Sequence, residues 1–82
     1  MVTIYSLKTC PFCQDLKEKL TKEGVQFRDV DVDAPENQVE YKKLFEFTKC
    51  DSVPIIKIGY NILVPDVSFN TIDEAVVFTK KL

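Results

Sequence analysis

At the stretch KTCPFCQDLKEKL, residues 8–20, the spacing of the hydrophobic residues changes from that of a strand to that of a helix. Residues 2–7, which precede it, alternate between two sides as in a β-strand. Within it, Cys13, Leu16 and Leu20 are three and four positions apart, so they share one face of a helix. The stretch therefore predicts a strand that leads directly into a helix, with a pair of cysteines at the junction.

The rest of the chain continues to alternate between strands and helices. Gly24 is expected to end the first helix, and Pro35 suits the first turn of the second. Thr71 and Glu74 have the spacing of a capping box at the start of the third. The predicted strands are residues 2–7, 25–32, 53–59 and 62–64. A helix between the first two strands makes them parallel, and the final hairpin is antiparallel. We therefore predict an α/β fold, β-α-β-α-β-β-α, whose mixed sheet has helices on both faces.

Helical spacing also assigns side chains to the core or to solvent. In the second helix, aromatic residues are expected in the core: Tyr41, Phe45 and Phe47. In the first helix, the charged residues are expected to lie largely away from the buried face: Lys17, Glu18, Lys19 and Lys22.

Length and charge limit the classes of function. The 82 residues suffice for one domain, residues 1–82. The net charge of -2 provides no broad basic surface, so we expect neither nucleic acid nor an anionic membrane as a partner. No apolar segment is long enough to span a bilayer, and a strand stands where a signal peptide would begin. We therefore expect a monomeric, cytoplasmic protein.

Cys10 and Cys13 have the spacing of a redox-active pair at a helix N-terminus. If Cys10 is the N-cap and Pro11 the first helical residue, free backbone N–H groups and the helix dipole favour the Cys10 thiolate over the thiol. Lys8 adds positive charge nearby. Cys13 follows one turn later and is expected to be more buried. We therefore predict that Cys10 is the attacking sulfur and Cys13 the resolving sulfur.

Three other interpretations of the pair are less well supported. Two thiols that merely pack in a core would not need to stand where a strand meets a helix. A structural zinc site takes four cysteine or histidine ligands, whereas this chain has three cysteines and no histidine, so no metal site is predicted. An iron–sulfur cluster would have to recruit thiolates from outside the chain. The third cysteine, Cys50, is assigned to a half-buried position after the second helix.

At TCPFC, residues 9–13, the sequence resembles a dithiol glutaredoxin of the thioredoxin superfamily. YSLKTCPFC, residues 5–13, is similar to the family's first strand and active site, and SVP, residues 52–54, resembles the family's T-V-P, in which the proline is cis. The resemblance implies a thioredoxin fold with a four-stranded mixed sheet and three helices. It also implies an enzyme that exchanges thiols and disulfides with protein or small-molecule substrates and needs no bound cofactor.

The resemblance further implies where a substrate or glutathione binds. The Val53 backbone, next to Pro54, is expected to offer hydrogen bonds to an extended thiol-containing substrate. Apart from the resemblance, Phe12 is expected to face out of the helix start, either as a docking aromatic for protein partners, which we favour, or as an ordinary exposed residue. The complete set of binding residues is Lys8, Thr9, Phe12, Ser52, Val53, Pro54, Phe69, Asn70 and Thr71.

The segment VSFNT, residues 67–71, departs from the family pattern. Glutaredoxins typically have two glycines and an aspartate here, which hold the γ-glutamyl end of glutathione. Val67 and Ser68 replace the glycines and Thr71 replaces the aspartate, so we expect weakened glutathione binding. Glutaredoxin-like redoxins that donate electrons to ribonucleotide reductase also lack the double glycine, and thioredoxin reductase recharges them with electrons from NADPH. Glutathione and thioredoxin reductase are therefore the two expected reductants.

Overall fold

The computed structural model describes residues 1–82. Its elements confirm the predicted order β-α-β-α-β-β-α. They are β1 (Val2–Ser6), α1 (Pro11–Lys22), β2 (Phe27–Asp31), α2 (Gln38–Thr48), β3 (Ile55–Ile58), β4 (Asn61–Leu63) and α3 (Ile72–Lys81), with a 3-10 turn (Pro35–Asn37) before α2. None of the helices combines the length and the apolar character that crossing a membrane requires.

The sheet is built around β1. The strand order is β2-β1-β3-β4. β1 pairs in parallel with β2, with Ile4 opposite Asp29, and antiparallel with β3, with Ile4 opposite Ile56. β3 and β4 form an antiparallel hairpin. The sheet is therefore mixed, as its connections predicted.

Helices cover both faces of this sheet, as predicted. α1 and α3 lie on one face, around a core that consists of Ile4, Leu16, Leu20, Ile56, Phe69, Ala75 and Val76. α2 covers the other face, where the core consists of Tyr5, Val30, Val32, Leu44 and Ile55. Burial on both faces also explains why residues 3–6 are all buried, although their sequence suggests alternation.

The helix boundaries agree with the signals in the sequence. Gly24 follows the end of α1 with a φ of 75°, a left-handed conformation that glycine adopts without a steric penalty. Pro35 opens the 3-10 turn that leads into α2. Thr71 and Glu74 form the complete capping box at the start of α3. Local sequence therefore determines where these helices begin and end.

Three of the side-chain assignments were wrong. Phe45 and Phe47 are 39% and 78% exposed, because α2 is the only helix on its face and has no second helix to cover its flanks. The Lys17 side chain is only 17% exposed, although it was assigned to solvent. Its ammonium reaches the Asp29 carboxylate on the edge strand β2 at 3.0 Å, so the side chain extends toward the sheet.

A hydrogen-bonded group ties α2 to the sheet. The Tyr5 hydroxyl donates to Glu40 Oε2 at 2.7 Å, and the Arg28 guanidinium also donates to the Glu40 carboxylate. Burial and the bond to Glu40 raise the pKa of Tyr5 to about 12. Arg28 and Tyr5 lower the pKa of Glu40. Glu40 therefore stabilises the fold above its unfolded pKa, and this contribution is lost as the pH falls through its lower folded pKa.

Tyr5→Phe removes the hydroxyl from this group. We expect the free energy of unfolding to fall by about 1 kcal/mol, the usual net contribution of one hydrogen bond. Urea unfolding at pH 7 measures the change. Tyr60→Phe is the matched control, because Tyr60 is fully exposed, and equal losses in the two variants would contradict the prediction.

Candidate active site

Cys10 occupies the N-cap of α1, as predicted. Its backbone is extended, with φ -92° and ψ 110°, and Pro11 is the first helical residue. The Cys13 backbone N–H donates to the Cys10 sulfur at 3.2 Å. The Cys10 sulfur therefore accepts a hydrogen bond from a free N–H of the first helical turn, at the positive end of the helix dipole.

Cys13 lies behind Cys10 and is fully buried, whereas Cys10 is half-buried. Burial raises the pKa of the Cys13 thiol well above its usual range, and its hydrogen bond with Cys10 raises it further. The backbone of Leu7 and the charge of Lys17 lower it. The two thiols therefore differ in access, as their predicted roles require, and burial makes the Cys13 thiol hard to ionise.

Most of the predicted binding residues meet at one cavity of about 300 Å³ beside the start of α1. Its lining includes Phe12, Ser52, Val53, Pro54, Phe69, Asn70 and Thr71 from the predicted set. Pro54 is buried, and the peptide bond that precedes it is cis, as the resemblance implied. Three separate segments of the chain thus converge beside the cysteine pair.

Lys8 and Thr9 are not part of this cavity. Lys8 is 87% exposed along its side chain, and its ammonium lies 3.9 Å from Asp31 at the end of β2. Thr9 is exposed in the loop before α1. The ammonium of Lys8 is thus directed toward a carboxylate and largely screened by water, so the structure gives it less influence on Cys10 than we expected.

The cavity contains three residues that sequence reasoning did not identify: Pro65, Asp66 and Ile72. Asp66 has a φ of 65°, a left-handed conformation in which aspartate is more common than most residues. A Pro-Asp pair after the last strand is a turn signal that could have identified this loop. The signal would not have shown that the loop folds back toward α1, because that contact depends on the tertiary structure.

The N-terminus of α3, at the edge of the cavity, is already capped by a carboxylate from its own chain. Glu74 Oε1 accepts the backbone N–H groups of Asn70 at 2.9 Å and Thr71 at 3.1 Å. In return, the Glu74 N–H donates to the Thr71 hydroxyl at 3.1 Å. A carboxylate from a ligand would have to displace Glu74 to reach these two N–H groups.

The third cysteine has the structural position that we expected. Cys50 is half-buried after α2, and its thiol donates to the Ser52 carbonyl at 3.7 Å. No group of three or more potential metal-ligating side chains is present in the chain.

The Glutaredoxin family model matches residues 2–62. A glutaredoxin-like 8.6 kDa protein from a rubredoxin operon of Clostridium pasteurianum is 38% identical over 64 residues, which span 78% of this chain and 83% of the relative. Wheat glutaredoxin is 25% identical, with a TM-score of 0.70 over 98% of this chain and 69% of the wheat chain. NrdH-redoxin from Escherichia coli is 18% identical, with a TM-score of 0.64 over 88% of this chain and 90% of its own, and shows the fold alone. These neighbours confirm the predicted thioredoxin fold.

We expect iodoacetamide at pH 7 to modify Cys10 about tenfold or more faster than Cys13, because Cys13 is buried and its pKa is raised. Peptide mass spectrometry over a time course measures both rates. Cys50 is the internal control, since it is half-buried but caps no helix. If Cys10 reacted no faster than Cys50, the N-cap would not activate it, and the prediction would be contradicted.

Proposed function

The chain belongs to the glutaredoxin family, and we propose that it reduces disulfides through a Cys10/Cys13 dithiol–disulfide cycle. One observation carries the proposal. The half-buried sulfur of Cys10 lies at the N-terminus of α1 and accepts a hydrogen bond from the backbone N–H of Cys13, whose own thiol is fully buried. We also propose that the cycle runs in the cytoplasm, where thiols are kept reduced.

The first step is an attack of the Cys10 thiolate on a substrate disulfide. A bond forms between Cys10 and one substrate sulfur, the substrate S–S bond breaks, and the other sulfur leaves with the electron pair and takes up a proton. The N-terminal N–H groups of α1 stabilise the attacking thiolate. This step gives a mixed disulfide on the more accessible cysteine.

The second step releases the reduced substrate. Cys13 loses its proton and attacks Cys10, the bond between Cys10 and the substrate breaks, and the second substrate sulfur leaves and is protonated. The substrate has then gained two electrons, and the chain holds a Cys10–Cys13 disulfide. A reductant must open this disulfide before the next cycle, but no bound cofactor takes part.

Disulfide-containing proteins are the substrate class that we propose for the cavity. Phe12 is 67% exposed on its rim, and an exposed aromatic ring suits an apolar contact with a protein surface. Val53 and the buried Pro54 also line this cavity. An extended chain segment with a disulfide could thus contact Phe12 and the Val53 backbone together.

A second candidate function concerns the reductant, and the cap of α3 favours it. In glutaredoxins the backbone at this loop helps to hold the γ-glutamyl end of glutathione, but here Glu74 already occupies the N–H groups of Asn70 and Thr71. A negative carboxylate at this position also repels the carboxylate of an incoming glutathione. This arrangement supports a redoxin that thioredoxin reductase recharges and that supplies electrons to ribonucleotide reductase.

An assay with two reducing systems tests the function and the reductant together. One arm contains glutathione, glutathione reductase and NADPH, and the other contains thioredoxin reductase and NADPH. We expect turnover of a protein disulfide in at least one arm, loss of turnover in Cys10→Ser, and a trapped mixed disulfide in Cys13→Ser, visible by mass spectrometry. Retained turnover in Cys10→Ser would contradict the proposed function.

The role of Glu74 is tested by Glu74→Ala, which frees the two N–H groups. We expect the KM for a glutathione mixed disulfide to fall several-fold in the glutathione arm, because the site gains anion-binding groups and loses a negative charge.

Asp73→Ala is the matched control for Glu74→Ala. Asp73 lies in the same helical turn, but its carboxylate pairs with Lys19 at 2.8 Å. An equal fall in KM for both variants would show a general charge effect and would contradict a specific role of Glu74.

A further inference from the structure

A lysine, an aspartate and a serine form a linked group behind the cysteine pair, outside the cavity. Lys17 Nζ lies 3.0 Å from Asp29 Oδ2 and 3.4 Å from Ser6 Oγ. The Ser6 hydroxyl donates to Asp29 Oδ1 at 2.8 Å. The three residues come from α1, β2 and the end of β1, and together they hold the Lys17 ammonium in one place.

Lys17 differs from the other lysines of α1 in its burial. Its side chain is 17% exposed, whereas that of Lys22, which pairs with Glu18 on the surface, is 74% exposed. A charge that is largely removed from water costs free energy unless it is paired and hydrogen-bonded. Asp29 and Ser6 provide this compensation, and the remaining field of the ammonium is screened less than that of a surface charge.

Lys17 stands one helical turn after Cys13 on α1. Residues four apart on a helix are neighbours on one face, so Lys17 follows Cys13 on the side of α1 that faces the sheet. Asp29, the negative partner, has a side chain that is 46% exposed, so water screens its charge more than it screens the ammonium. Of these two charges, the positive one is therefore the less screened.

The groups around Cys13 have opposing effects on its ionisation. Burial and Cys10, on the preceding turn, disfavour the thiolate and raise the pKa of Cys13, whereas the Leu7 backbone and Lys17 lower it. Ser6 from β1 and Asp29 from β2 both contact the Lys17 ammonium. Within this set, Lys17 is the only side chain that favours the charged form of Cys13.

We propose that Lys17, held by Asp29 and Ser6, is a positioning residue that promotes the second step of the cycle by stabilising the Cys13 thiolate. In this step the Cys13 proton departs to solvent, a bond forms between Cys13 and Cys10, and the bond between Cys10 and the substrate breaks. The substrate sulfur leaves with the electron pair and takes up a proton. The inference rests on the proposed dithiol function, because Cys13 has no proton to lose in catalysis without it.

An aromatic disulfide that releases a coloured thiolate separates the two steps in one experiment. Attack by Cys10 on 5,5′-dithiobis(2-nitrobenzoate) releases one thionitrobenzoate, and resolution by Cys13 releases a second from the mixed disulfide. All variants carry Cys50→Ser, so that only the two cysteines of the pair react. Stopped-flow absorbance at several pH values gives a rate for each release.

In Lys17→Met we expect the first release to stay within about twofold of the parent rate. The second release should slow about tenfold at pH 7, and its pH profile should move up by about one unit, the size of effect that a nearby opposite charge has on an ionisable group. Lys17→Arg keeps a positive charge and should restore most of the rate. Lys22→Met, on the same helix, is the matched control and should change neither release.

The outcomes separate this inference from the proposed function. An unchanged second release in Lys17→Met overturns the role of Lys17 and leaves the dithiol function intact. Equal slowing of both releases shows that Lys17 only supports the fold of α1, and it also overturns the inference. If the parent protein shows no second release at all, the dithiol cycle itself is wrong.

Discussion

The hydrogen bond from the Cys13 N–H to the Cys10 sulfur is the interaction on which the site depends. It exists because Cys10 ends its extended segment at the point where Pro11 begins a helix. The same geometry places Cys13 one turn later, on the side of α1 that packs against β1. A local choice of backbone conformation therefore produces both a more accessible sulfur in a positive field and a buried thiol behind it.

Two helix N-termini border the candidate site, and the chain uses them in opposite ways. The first leaves its N–H groups facing the sulfur of Cys10, which gains from a positive field when it is ionised. The second is closed by the carboxylate of Glu74, which accepts the N–H groups of Asn70 and Thr71. One terminus thus carries the sulfur of Cys10, whereas a carboxylate of the chain itself occupies the other.

Burial has a cost at Cys13, and the surrounding structure offsets part of it. A fully buried thiol cannot be reached by reagents in solution, but burial also makes it difficult to ionise. Lys17 is placed to reduce that difficulty because Asp29 and Ser6 keep its ammonium near the sheet. The same group links α1 to both β1 and β2. The group of Lys17, Asp29 and Ser6 therefore links elements of the fold and also affects the ionisation of Cys13.

Much of the fold and of the cysteine pair follows from the sequence alone, because the signals are local. Element order, the helix stop at Gly24 and the N-cap at Cys10 each depend on residues within a few positions of one another. The burial of Lys17 and the exposure of Phe47 could not be read in this way. They depend on which strand lies beneath α1 and on the absence of a second helix beside α2, so only the tertiary structure decides them.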